Sequence, residues 1–417
     1  MVKKINQISN NWFALKSHVY VEFKEIEMLL YDTKSGNRIE TKQQEAIDLV
    51  SQLYDPKNLG VTRLSDKMLL KPGLSGFINE VLEKQMGELI DMEKFPQKPV
   101  RLTPILSLQK DVDKLKKKEE NNPLIGNNTK NYLMRLNIYL NNSCSLNCPH
   151  CNKRYKQFLC CTTHNADQEL TYEEVESVFH QIEYASVGEI NILGGNIFEY
   201  TRLAQLYKLL DAFKDIVHCY FYYENYKPNV LPDSIKLEMI VTFPIKEIVF
   251  KNTWHLVDRE KTTVHFIVQN EEEYGQIENL IKEYNIVHYR VHPVYTGENL
   301  KFFEDNVFVN REDLFAKTLS IREIFRNKKL NCHFFGTVYV LPDGTVKANT
   351  HVPELGNIKI DSLMHMVFKE IIDNTAWRTI RDSKPCSDCL YQFICLPPSN
   401  YEKAIGKPNL CHVHGSD

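Results

Sequence analysis

The alternation of apolar and polar positions changes rhythm along the chain. Residues 18–30 (His-Val-Tyr-Val-Glu-Phe-Lys-Glu-Ile-Glu-Met-Leu-Leu) alternate in part, and Asp32-Thr33-Lys34-Ser35-Gly36-Asn37 then supplies turn chemistry, which predicts a small β-hairpin unit. Across 41–53, Ala46, Ile47, Leu49, Val50 and Leu53 fall at helical spacing, and Phe77, Val81, Leu82, Met86 and Leu89 repeat that spacing across 77–90. Strands followed by helices predict a small α+β domain. It reads as a structural cap, or as a module whose exposed strand edge accepts an extended peptide. Residues 110–130 are charged and poor in large apolar groups, which predicts a linker with a short helix before Asn121 and lysines on a solvated face.

From Tyr132 the pattern becomes short apolar runs between helix-length segments. Strands are expected at 132–140, 188–193, 216–223, 247–251, 263–269 and 287–294. A helix over 171–184 opens with Thr171-Tyr172-Glu173-Glu174, a cap followed by acidic residues, and a second over 200–213 places Leu203, Leu206, Leu209, Leu210 and Phe213 on one face. Strand–helix alternation predicts a parallel α/β sheet or partial barrel with its functional loops at the strand C-termini. Further on, 337–340 and 345–348 flank Leu341-Pro342-Asp343-Gly344 as a hairpin, and 362–373 reads as a helix.

With 417 residues, 43% hydrophobic and 25% charged, the chain can bury a sizeable core, and a net charge of -3 gives no electrostatic footprint for nucleic acid. No apolar run is long enough for a membrane span, and Met1-Val2-Lys3-Lys4-Ile5-Asn6 lacks a signal-peptide stretch, so a soluble cytoplasmic protein is expected. Eleven cysteines in a reducing compartment point to metal ligands rather than disulfides. Seven fall in two groups: Cys144-x3-Cys148-x2-Cys151, and Cys386-x2-Cys389-x5-Cys395 with Cys411. Cys160, Cys161, Cys219 and Cys332 are scattered and read as small buried residues.

Three thiolates in one loop leave either a cubane iron-sulfur cluster with one iron unligated by the loop, or a zinc with an open position. Zinc would take a fourth ligand such as His150, His164 or Cys160. The C-terminal four suit either metal. Gly194-Gly195 is not a dinucleotide fingerprint, because no Gly-x-Gly-x-x-Gly follows. His265, His288 and His292 lie on or near strands and receive no role, and no catalytic acid, base or radical relay is assigned.

This combination resembles the radical S-adenosylmethionine (SAM) superfamily carrying a C-terminal SPASM-type domain. The three-cysteine loop matches the superfamily's cluster loop after the first strand, including a ring residue, His150, before the third cysteine. Gly194-Gly195-Asn196 stands where the superfamily has a Gly-Gly-Glu motif against the SAM methionyl group; Asn196 lacks the carboxylate. Cys332, the Pro-Asp-Gly hairpin, Leu355-Gly356-Asn357-Ile358 and the last four cysteines follow the SPASM order of parts, with Asn349 and Ser399 standing where two ligands would be. The resemblance therefore implies a SAM-binding [4Fe-4S] cluster on Cys144, Cys148 and Cys151. It implies one auxiliary [4Fe-4S] cluster on Cys386, Cys389, Cys395 and Cys411, and a Cys332 without one.

The implied organisation is a winged-helix-like peptide-recognition domain over 1–108, a linker over 109–130, a radical SAM partial barrel over 131–325, and a cysteine-rich iron-sulfur domain over 326–417. The sequence is similar to maturases of ribosomally made peptides, including the pseudo-radical-SAM proteins of Bacteroidales. The implied activity is hydrogen abstraction from a leader-bearing precursor peptide by a 5'-deoxyadenosyl radical, with a ferredoxin or flavodoxin as reductant. The alternative is a catalytically silent partner that binds the precursor for a second maturase. Neither nucleic acid nor membrane is an expected partner.

Overall fold

The computed structural model describes residues 10–71, 73–103, 129–146, 148–162 and 168–413. The linker expected at 109–130 and its short helix lie outside the described residues, apart from Thr129 and Lys130. Strand β1 (Asn11–Leu15) precedes an antiparallel sheet of β2 (Val19–Phe23), β3 (Met28–Asp32) and β4 (Arg38–Thr41), which contains the expected hairpin. Period-two alternation sorts its side chains between two cores. Val19, Val21, Met28, Leu30 and Ile39 join the helix Gln44–Tyr54, whereas Tyr20, Leu29 and Tyr31 pack on Leu390, Tyr391, Phe393 and Ile394 of the C-terminal cysteine segment.

A second sheet places β5 (Val61–Arg63) and β6 (Gly87–Asp91) on either side of β1. Here the helix expected across 77–90 is corrected. It spans Leu74–Glu83, and Leu89 belongs to β6. Gln85 takes a left-handed φ of 56°, which ends the helix, and a Cβ on Gly87 would stand 2.7 Å from the Val81 side chain, so glycine lets the strand begin this close.

The rest is organised on one nine-stranded sheet. Its strands are β7 (Arg135–Tyr139), β8 (Glu189–Leu193), β9 (Val217–Tyr222), β10 (Lys236–Thr242), β11 (Thr262–Val268), β12 (Tyr289–Pro293), β13 (Thr337–Val340), β14 (Thr345–Lys347) and β15 (Gly356–Asn357). The spatial order is β12-β11-β10-β9-β8-β7-β13-β14-β15. Strands β7 to β12 run parallel, and the barrel is not closed. Strand β13 continues the sheet by pairing parallel with β7, so the C-terminal hairpin extends the ladder of the first barrel strand.

Segment 247–251, expected as a strand, is instead the first half of the helix Glu247–Leu256. Phe250, Thr253 and Trp254 form its buried face, a spacing that a five-residue window cannot reveal. The strand in that part of the sheet is β10, an apolar run interrupted by Glu238. The 171–184 helix forms as Tyr172–Ile182, with a full capping box between Thr171 and Glu174. Leu206 and Leu210 are the fully buried members of the next helix, Leu203–Asp211.

Two faces of the parallel strands differ sharply in chemistry. Leu136, Ile138, Ile190, Ile192, Met239, Val241, Val264 and Phe266 lie on one face and are buried. Alternate positions put Arg135, Asn137, Glu189, Asn191, His218, Tyr220, Glu238, His265 and His292 on the other. From this polar face, Arg135 and His292 line a cavity of ≈ 430 Å³ that Arg381, Ser399 and Tyr401 of the C-terminal segment also border. Among the described residues no helix is long and apolar enough to cross a membrane.

Candidate metal and cofactor site

The three-cysteine loop leaves the C-terminal end of β7, and Cys151 opens the short helix Cys151–Gln157 after His150 takes a left-handed φ of 61°. Beside it, β8 ends in Gly194-Gly195. The Gly195 N–H donates to the Asn141 carbonyl at 2.9 Å and to Asn141 Oδ1 at 3.1 Å. A Cβ on Gly195 would stand 2.3 Å from the Ser143 carbonyl oxygen, and one on Gly194 2.6 Å from Asn141 Oδ1. The two motifs that the sequence separates by more than forty positions are thus one packed unit, and the glycines are what lets their backbones meet. Asn196 is buried and already committed to the fold: its Oδ1 accepts from the Phe198 N–H at 3.2 Å, and its carbonyl accepts from Asn141 Nδ2 at 2.9 Å.

Within the loop, Asn225 Nδ2, from the turn after β9, donates to Cys144 Sγ at 3.6 Å. The Cys148 thiol is pushed up first by its hydrogen bond with Cys151 and then by burial. Cys151 also meets Cys161, whose thiol is pushed up by hydrogen bonds with Cys151 and with Cys160, 3.9 Å away from it. Cys160 and Cys161 are therefore buried, as expected, yet Cys161 touches Cys151 of the three-cysteine loop. Burial holds the His150 imidazole below its ordinary value. His164 lies outside the described residues.

One side chain bears directly on whether this loop suits an anionic group. Arg154, one helical turn after Cys151, is only 1% exposed, and its Nε and Nη1 have no hydrogen-bond partner among the described residues. Its charge acts on Cys148, His150 and Glu273. A desolvated guanidinium with open donors is costly unless it meets an anion. Thiolates around a cluster, or a bound carboxylate, supply that charge, so the residues present fit such a group. Among the described residues no three His, Cys, Asp or Glu side chains converge closely enough to hold a single metal ion.

Cys386, Cys389, Cys395 and Cys411 border a common cavity of ≈ 20 Å³ together with Arg381 and Asn409. Asn409 Nδ2 donates to Cys411 at 3.1 Å, the Tyr391 N–H to Cys389 at 3.4 Å, and Arg381 Nη1 to Cys386 at 3.7 Å. Burial pushes Cys389 and Cys395 up to about 11, and Arg381 opposes that shift at Cys395. Arg381 is itself paired with Glu402 at 2.7 Å. Four thiols around one pocket furnished with N–H donors suit thiolates that each meet a different iron of a cluster rather than one shared ion. Positions 349 and 399 meet at Asn400: Asn349 Nδ2 donates to the Asn400 side chain at 2.7 Å, while the Ser399 hydroxyl caps the helix Asn400–Ile405. Next to Cys332, Asn331 Nδ2 donates to the Pro398 carbonyl at 2.9 Å.

No protein-family model and no curated protein matches the chain. Solved structures to which it is similar include SuiB of Streptococcus suis bound to precursor peptide SuiA, at 13% identity and a TM-score of 0.49, covering 96% of this chain and 98% of that one. SuiB bound to S-adenosylmethionine follows at 13% identity and 0.47, covering 95% and 97%. A histidine-tagged anSMEcpe with bound AdoMet is 12% identical with a TM-score of 0.41, covering 66% of this chain and 92% of that chain.

Three groups around the loop escape a reading of the sequence alone. Arg154 had a faint signal, a long cation among the first residues of a helix that packs inward. Asn225 had none, because its contact with Cys144 joins residues 81 positions apart. The polar strand face was legible in principle, since Glu189, Asn191, His218, Glu238 and His265 interrupt apolar runs at every second place.

Proposed function

We propose that this chain is a radical SAM enzyme that modifies a ribosomally made precursor peptide. The observation that carries the reading is the seating of Cys144, Cys148 and Cys151 at the C-terminal mouth of an open parallel sheet, with Gly194-Gly195 packed on the same loop. Cys144, Cys148 and Cys151 would hold a [4Fe-4S] cluster whose remaining iron takes SAM, and the pair supplies a 5'-deoxyadenosyl radical for hydrogen abstraction. Arg154 supplies positive charge behind the loop, and Asn225 donates toward the Cys144 sulfur. Gly194 and Gly195 keep side chains out of the space where main chain approaches the loop. In our reading Cys386, Cys389, Cys395 and Cys411 hold an auxiliary cluster that fastens the C-terminal segment. The N-terminal domain takes the leader peptide along a strand edge, and a ferredoxin or flavodoxin delivers the electron.

Anaerobic reconstitution tests this directly. About four irons per chain in a Cys386→Ala/Cys389→Ala variant, about eight in the parent protein, and 5'-deoxyadenosine formed from SAM are expected. A colourless, zinc-loaded protein would overturn the cluster assignment, and a reduced, cluster-loaded protein that leaves SAM intact would overturn the enzyme.

A second reading rests on Asn196. Its side chain caps its own turn, so the position that the resemblance gives to SAM carries neither a carboxylate nor a free amide oxygen. That favours a silent partner that presents the precursor to another maturase. Peptide maturation that survives Cys148→Ala in the presence of the partner would select it.

A further inference from the structure

A second cluster of titratable side chains crosses the polar face of the sheet from β9 to β12. Glu238 on β10 is buried and receives two short hydrogen bonds, from His218 Nδ1 and from His265 Nε2, each at 2.6 Å. The other nitrogen of His265 lies 2.9 Å from His292 Nε2, and the two imidazoles are stacked 5° from parallel. His292 in turn stacks on Phe158, at the end of the cysteine-loop helix, with ring centroids 4.8 Å apart. It reaches the cavity of ≈ 430 Å³.

The partners fix the tautomers. Burial alone would raise Glu238, but the hydrogen bonds from His218 and His265 hold its carboxyl down at about 2, so it is an acceptor. A neutral His265 then carries its proton on Nε2. Its Nδ1 is a lone pair that accepts from His292 Nε2–H. That leaves His292 Nδ1 unprotonated, with no hydrogen-bond partner among the described residues.

We propose that Glu238, His265 and His292 form a proton relay, in which His292 Nδ1 takes a proton from, or returns one to, a hydroxyl, amine or amide group of the peptide held in the cavity. The geometry of the relay stands by itself; its service to a peptide rests on the function proposed above. In the forward direction the peptide group loses H⁺ to His292 Nδ1 and keeps the electron pair. The Nε2 proton of His292 passes to His265 Nδ1. The positive charge comes to rest on His265 beside the Glu238 carboxylate, and no oxidant is consumed.

His292 stays neutral throughout, consistent with its own surroundings: burial first, then His265 and Arg290, push it down to about 3. Tyr220 also faces the relay, its ring 5.4 Å from His265, and from the opposite face of the sheet the Cys219 thiol feels Glu238. On this arrangement His292 is the catalytic residue, and His265 and Glu238 position it and receive its proton.

Carbethoxylation of the full-length protein by diethyl pyrocarbonate, mapped by peptide mass spectrometry against added N-acetylhistidine, reads the relay without turnover. His292 should react, because it borders the cavity and its Nδ1 has no hydrogen-bond partner among the described residues. His265, with both nitrogens engaged, should not. The pH midpoint of His292 reactivity should fall by about one unit or more in Glu238→Gln, since His265 then loses the carboxylate that stabilises its charge. It should also move in His265→Gln, which removes the ring that shares the proton and serves if the first variant does not fold.

An unchanged midpoint in a folded variant, or a His265 as reactive as His292, would overturn the relay. In reconstituted turnover, His292→Phe keeps the ring stack, and the ratio of modified peptide to 5'-deoxyadenosine should drop on the order of 10²-fold. An unchanged ratio overturns the role in peptide chemistry. Absence of 5'-deoxyadenosine from the parent protein would sink the radical reading and leave the chemical mapping to decide the relay.

Discussion

Arg154 shows how a single side chain can be out of balance with its surroundings. Its Nε and Nη1 are enclosed without partners among the described residues, a state that costs the metal-free protein stability. The Arg154→Met variant should therefore melt at the same temperature as the parent or higher when free of metal, because a flexible apolar chain of similar length fills the space. In the cluster-loaded protein the same change should weaken SAM binding about tenfold or more, the worth of one or two charge-assisted hydrogen bonds. Thermal melts and equilibrium dialysis measure the two halves. The cysteines themselves are legible in the sequence because chemistry ties them to fixed spacings, whereas Arg154 is not. A buried cation announces itself only when its neighbours are known.

At the scale of elements, the cysteine loop and the β8 terminus are coupled by backbone rather than by side chains. Gly195→Ala forces a Cβ against the Ser143 carbonyl, and backbone has no rotamer with which to yield. The variant should lose the loop-bound iron, about four atoms per chain, while the C-terminal cysteines keep theirs. Iron analysis with Mössbauer spectroscopy separates the two populations. Alternating strands and capped helices such as Tyr172–Ile182 are readable, since period and cap are local properties. The departures from the sequence pattern have local causes as well. Glu247–Leu256 resembles a strand at its start because Ile248, Val249 and Phe250 stand together, and the helical face becomes apparent only on reaching Trp254. Strand β10 is hard to see because Glu238 breaks its apolar run, although that residue is the centre of the histidine network.

For the whole molecule, the polar strand face makes stability depend on acid. Glu238 is held down at about 2 against an ordinary 4.5, so its contribution is complete above about 4.5 and disappears as pH falls toward 2. His292 is held down at about 3 against 6.5; because the unfolded chain takes up that proton first, its contribution is complete above 6.5 and is lost toward 3. Both effects have the same sign. Each group can steepen the loss by at most about 1.4 kcal/mol per pH unit inside its window. Urea midpoints should fall between neutrality and pH 4, and His292→Phe should flatten the part of that fall that lies between 6.5 and 3. The alternation of short apolar runs with helix-length segments anticipates the large, mostly parallel sheet. It could not anticipate that Tyr20, Leu29 and Tyr31 pack on Leu390 and Phe393, because contacts across more than 350 positions leave no periodic trace.

The parallel pairing of β13 with β7 has a consequence for any attempt to dissect the chain. Thr337 to Val340 cover the flank of β7 from Arg135 to Ile138, while β8 covers the other flank. A fragment stopped at 325 would bare the amides and carbonyls of the very strand that delivers the cysteine loop, leaving a flat sticky edge for a neighbouring copy. Such a fragment should self-associate in analytical ultracentrifugation, and one carried on through Asn357 should sediment as a single species. The parallel half of the sheet is therefore not a separable unit; its first strand is finished by residues from the far end of the chain.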